Sequence, residues 1–199
     1  MTSLPLPVVL AAVAPFVLWA TVLVLSIASL CCMIATQRTP RRVLVYLSAA
    51  LLGAAIILVV LPGTHAPVVF RVLIGIVALA LSVIGGGPVS QVVLALATRG
   101  STVPGPHGGI VVRDRMQGED ATREVLRGGT TIGYLERFAT TGAIMAGFPE
   151  AIAVLIAIKG VGRFSELDAG EAKERFIIGT LTSLIWACIC AGLFRLSAG

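Results

Sequence analysis

The chain has 199 residues, the length of a single domain, yet 57% of them are hydrophobic and only 13% charged, about half the charge of an ordinary soluble domain. With a mean hydropathy of +0.99, water is excluded as the main solvent of its surfaces. The net charge of +5 sits in short segments between apolar runs, with no basic stripe carrying interleaved aromatics, so positive-inside sorting explains it and no nucleic-acid partner is expected.

Taken in chain order, the first element is an uninterrupted apolar run over residues 5–36. It is longer than a ~30 Å hydrocarbon core requires. It has no positive n-region and exceeds a signal-peptide h-region, so it reads as a retained anchor. Arg38, Arg41 and Arg42 cluster around Pro40, and a second span follows over about 43–62. A short link through His65 and Pro67 leads to a third run, 69–98, interrupted by Gly85-Gly86-Gly87-Pro88. Glycines and a proline disrupt a helix interior, so a kinked or broken third helix is predicted, with a short second part from Pro88 to about Ala97.

Residues 99–130 form the longest polar stretch and read as a cytoplasmic loop, with glycines and prolines at 104–109 and a short helix over Asp120–Arg127. A fourth span is predicted over about 132–158 and a fifth over about 175–195, joined by a charged link from Lys159 to Glu174. The expected fold is therefore an all-α polytopic transmembrane bundle of about five spans. Residues 1–98 form an N-terminal membrane region, 99–130 the loop and 131–199 a C-terminal helical hairpin. On that arrangement the inner segments hold ten Lys and Arg and the outer segments five, Arg71, Lys159, Arg163, Lys173 and Arg175. The balance predicts an inner-membrane-type protein with its N-terminus outside and its C-terminus in the cytoplasm.

Lipid gives helices no hydrophobic reason to associate, so small residues mark contacts. Ala139, Ala143, Gly147 and Ala151 recur every four residues, as do Gly179, Ser183, Ala187 and Ala191. These two faces are predicted to meet.

Three sets of residues invite a functional reading. Glu150 follows Pro149 inside the fourth run, and Glu136 lies fourteen residues earlier, nearly four turns, on almost the same helical face. Two such carboxylates could line a cation or proton path, or serve as structural ties. Lys159 and Arg163 stand one turn apart, near Glu166, Glu171 and Glu174. They could hold an anion or lipid headgroup at the interface, or snorkel and lock the hairpin. The Gly85–Pro88 interruption could aim a half-helix at an ion, as in some transporters, or be a plain kink. Cys31, Cys32, Cys188 and Cys190 lie in apolar runs and read as packing residues. His65 and His107 join no acidic residue at helical spacing, so neither a metal nor a cofactor is expected. No nucleophile elbow or phosphate loop occurs, and no catalytic residue is assigned.

Ile132-Gly133-Tyr134-Leu135-Glu136-Arg137, Lys159 with Arg163-Phe164, and Glu174 with Phe176–Leu181 and Ser183 carry a resemblance over about 130–185. The stretch resembles the C-terminal part of an uncharacterised bacterial multi-pass membrane family, a domain of unknown function associated with SatD-type proteins. The resemblance implies a membrane protein and brings no activity. It marks Glu136, Arg137, Lys159, Arg163 and Glu174 as an interface charge cluster and leaves Glu150 aside. Three functions follow from the sequence: a non-enzymatic membrane subunit binding another membrane protein, itself or lipid; a small oligomeric transporter or channel using Glu150; and a lipid-acting enzyme under the 99–130 loop, which has no recognisable nucleophile–base pair.

Overall fold

The computed structural model describes the backbone of residues 6–60, 65–97, 110–113, 122–125, 129–163 and 170–199, and side chains over 13–60, 65–97, 129–161 and 173–199. The elements in order are α1 (Leu6–Arg38), α2 (Arg42–Val60), α3 (Val68–Ala97), β1 (Ile110–Arg113), β2 (Thr122–Val125), α4 (Gly129–Ala146), α5 (Ala151–Arg163) and α6 (Gly170–Ala198). The molecule is a helical bundle, and four of its helices, α1, α2, α3 and α6, are long and apolar enough to cross a membrane.

Two departures concern the polar loop and the helix breaks. Most of 99–130 lies outside the described residues, but β1 and β2 form an antiparallel pair with Ile110 opposite Val125. The short helix expected over Asp120–Arg127 is therefore replaced in part by a strand, in keeping with Thr122 and Val125 as β-branched residues.

The predicted break in the third run is absent. α3 continues through Gly85, Gly86, Gly87 and Pro88. A proline there removes the donor to the carbonyl four residues back, that of Ile84. Gln37 of α1 supplies a replacement, its Nε2 donating to Ile84 O at 3.3 Å. The break falls instead in the predicted fourth span, 132–158, which is two helices. Gly147 takes φ +86°. Phe148 N donates to Ala143 O at 2.8 Å and Gly147 N to Ile144 O at 3.1 Å, the paired bonds of a Schellman stop. Pro149 then opens the first turn of α5, whose i→i−3 bonds run from Ala151, Ile152 and Ala153 back to Phe148, Pro149 and Glu150. Where five spans were expected, the structure has four helices long and apolar enough to cross a membrane, together with the α4–α5 hairpin.

The bundle core sits between α1, α2, α3 and α6, with Trp19, Leu52, Ile74, Leu81, Trp186 and Leu193 buried in it. α3 packs most extensively against α6, and α1 against α2. In lipid every polar group needs an internal partner. Ser29 and Ser48 meet that need reciprocally across α1 and α2, with hydroxyls 2.7 Å apart and each donating to the other's carbonyl. Thr21, Ser26 and Thr36 donate back to the carbonyls one turn earlier. Cys190 joins the core, Cys31 and Cys188 face outward, and all four thiols are free.

α6 runs antiparallel to α3. Ser90 meets Gly179, Trp186 meets Leu81, and Ala66 N donates to Ser197 O at 3.1 Å. The end of α6 therefore lies beside the α2–α3 link, at the same end of the bundle as the start of α1. A chain with five spans would have put these two helix ends on opposite sides of the membrane.

Candidate polar cleft at one end of the bundle

The segment Leu81–Pro88 of α3 anchors three other helices through its backbone. Trp186 Nε1 donates to Leu81 O at 3.1 Å, Arg137 Nε to Val83 O at 2.9 Å, and Gln37 to Ile84 O. Glycine makes this possible. A Cβ at Gly85 would stand 2.7 Å from Trp186 Nε1, and one at Gly86 would overlap Cδ of Arg137. Gly85 and Gly86 are thus a docking surface for an indole and a guanidinium within a continuous helix, while Gly87 faces open space.

Arg137 is the organising side chain of α4. Only 5% of it is exposed. Besides Val83, its Nη1 donates to Ser183 Oγ of α6 at 3.0 Å, and its guanidinium lies 5.3 Å from the centre of the Tyr134 ring. Thr140 and Thr141 continue the buried face, with the Thr141 hydroxyl 2.6 Å from that of Ser82. α4 consequently meets α3 and α6 along a polar line. Ala143 is half-buried and Gly147 exposed in the turn, while Ser183 and Ala187 of α6 are buried and Gly179 half-buried. Ser183 meets α4 through the Arg137 side chain, while Gly179 lies against Ser90 and Leu94 of α3.

α4 and α5 fold back on each other. Glu136, eleven residues before Gly147, forms an ion pair with Lys159, twelve residues after it. Lys159 of α5 is thus paired with Glu136 on α4. Lys159 Nζ also lies 5.6 Å from the centre of the Phe176 ring of α6. The Arg163 side chain, Glu166, Asp168 and Glu171 lie outside the described side chains. Glu174 is exposed. Glu150 is exposed at the apex of the hairpin, remote along the chain from the Glu136–Lys159 pair, so the two carboxylates do not share a continuous helical face.

These side chains border an open cleft of about 450 Å³, walled by α1 at Thr36 and Gln37, by α3 from Gly87 to Leu94, by α4 from Gly129 to Arg137, and by Gly179 and Ser183 of α6. Lys159 reaches it from α5. A second recess of about 130 Å³ shares Thr36, Pro88 and Gln91 with it and adds Arg41 and Arg42. Gln37, Gln91 and Ser90 had carried no weight in the sequence. Their only signal is that they are polar residues near the ends of apolar runs, Ser90 and Gln91 as a pair and Gln37 between Thr36 and Arg38. Among the described residues no group of three His, Cys, Asp or Glu side chains is placed to hold a metal. No protein-family model, curated protein or solved structure matches the chain.

Proposed function

We propose that the chain sits in a bacterial cytoplasmic membrane with four spans, both termini outside, and α4–α5 as a re-entrant hairpin. At 1.5 Å per residue α4 and α5 are about 27 and 20 Å long, each short of a ~30 Å hydrocarbon core. Thirteen of the fifteen Lys and Arg then lie toward the end that carries the α1–α2, α3–α4 and α5–α6 connections; only Arg71 and Arg195 lie toward the other. That asymmetry is steeper than the ten against five of a five-span chain, and it supports placing the basic end in the cytoplasm. Ala198→Cys on a cysteine-free background is expected to react with an impermeant maleimide in intact cells, and Lys173→Cys only after permeabilisation. The reverse pattern would sink the orientation.

Within that frame the protein works as a non-catalytic subunit that holds another membrane protein through the hairpin. The observation that carries this reading is the uncovered apex of the hairpin. There the exposed carboxylate of Glu150 and the irregular backbone of residues 147–150 stand beside Phe148, 67% exposed. Polar groups of this kind at membrane depth are found against protein or water. Native mass spectrometry of the chain extracted directly into lipid nanodiscs is expected to give a defined hetero-complex. A homo-oligomer alone would instead favour transport past Glu150, for which Glu150→Gln should abolish flux in proteoliposomes.

A further inference from the structure

Among the described residues, the cleft between α1, α3, α4 and α6 is bordered by more positive than negative side chains. The cleft and its adjoining recess are bordered by Arg41, Arg42, Arg137 and Lys159, and by one described carboxylate, Glu136. Glu136 is taken by Lys159. α1, α2 and α3 contain no Asp or Glu at all; the first acidic residue of the chain is Asp114. Arg137 bonds neutral groups, a backbone carbonyl and a serine hydroxyl. A buried guanidinium whose nearest partners are neutral keeps its full charge in a poorly solvated place, which is costly without a counter-ion.

The geometry suits an anion with more than one oxygen. A guanidinium is planar, always charged and forked, and it matches phosphate oxygens where an ammonium acts as a point charge. Arg137 is pre-positioned: its stem lies in the space left by Gly86, its nitrogens are tied to α3 and α6, and Gly133 leaves room beside its terminal nitrogens. Gln91, Thr130 and Tyr134 line the same cleft with neutral donors. A volume of about 450 Å³ exceeds what a bare phosphate ion needs and falls in the ordinary range for small organic ligands, about 300–1,000 Å³. The cleft also lies at the end of the bundle where Arg41 and Arg42 close the α1–α2 turn, the level at which headgroups meet basic side chains.

We infer that the cleft binds a phosphate ester, with Arg137 and Lys159 holding the phosphate and Arg41 and Arg42 drawing it in from the adjoining recess. The inference goes beyond the partner-binding reading and stands or falls separately from it, since it concerns a different face of the molecule. The ester has two possible sources, the headgroup of an anionic phospholipid or a soluble phosphate ester.

The test uses the full chain in nanodiscs of phosphatidylcholine with and without phosphatidylglycerol. Native mass spectrometry counts the phosphatidylglycerol retained, and thermal unfolding is followed with added glycerol phosphate. Retained phosphatidylglycerol with no response to glycerol phosphate identifies a headgroup site. Stabilisation by glycerol phosphate identifies a soluble ester. In either case the Arg41→Gln, Arg42→Gln, Lys159→Gln triple variant, which leaves the buried Arg137 contacts in place, should weaken binding by about tenfold or more. Arg137→Lys, which keeps the charge but loses the fork, should weaken it in a monodisperse protein. Neither lipid retention nor stabilisation in the wild-type chain, or equal binding by the triple variant, would overturn the proposal. A hetero-complex found or missed in the earlier experiment bears on neither result.

Discussion

Trp186→Ala is expected to destabilise the bundle by about 3 kcal/mol, near the lower end for large aromatic truncations. The indole is 4% exposed and lies on the Gly85 backbone between α3 and α6, the pair with the most extensive contact. In lipid the separated helices keep their apolar surface out of water, so the transfer part of the usual loss is small and the void itself dominates. The hydrogen bond from Nε1 to Leu81 O contributes less, because that carbonyl already belongs to the α3 ladder. Trp186→Phe should therefore recover most of the loss. Unfolding in mixed micelles, compared between the two variants, checks the order. An alanine variant as stable as wild type would mean that α3 and α6 do not pack through this residue.

Gly86→Ala is expected to cost about 2–3 kcal/mol by overpacking. The new methyl would occupy the place of Arg137 Cδ, and Arg137 cannot swing aside without giving up Val83 and Ser183. The penalty should depend on the arginine. In an Arg137→Ala background the three atoms that crowd the added methyl most closely are gone, and the same substitution should be close to neutral. The double-mutant cycle is thus predicted to show a coupling of about 2–3 kcal/mol. Additive losses would contradict the placement of the guanidinium on the glycine surface.

The long helices were legible because composition alone carries them. The runs 5–36, 43–62, 69–98 and 175–195 are blank of charge over most of their length, and α1, α2, α3 and α6 follow them closely. Gly85-Gly86-Gly87-Pro88 and Gly147-Phe148-Pro149 send nearly the same local message, and it means opposite things. The first is held in helix by a distant side chain, Gln37, and by the demand of Trp186 and Arg137 for bare backbone. The second has the positive φ and the Schellman bonds of a stop. Periodicity cannot separate them, because the difference lies in tertiary partners. The stripe of small residues on α4 misled for a related reason. Ala139 and Ala143 are only half-buried, and the contact face is drawn by Arg137, Thr140 and Thr141, polar groups that hydropathy would place outward. Glu136 and Lys159 were both marked as members of one charge cluster. Their pairing with each other needed the turn at 147–150, which brings residues 23 apart in sequence to one level.

That turn also changes the cost of assembly. In a five-span chain Lys159, Arg163, Lys173 and Arg175 would have to be carried to the outer side of the membrane, together with Glu166, Asp168, Glu171 and Glu174. The two sets of charge cancel, so the membrane potential does little work on the link as a whole. Each ionised group must nevertheless leave water to cross the hydrocarbon. By reversing at Gly147, on the proposed orientation, the hairpin leaves all eight on the side where they were made. The folded-back hairpin thus spares the chain their desolvation during insertion, before any helix packing has taken place.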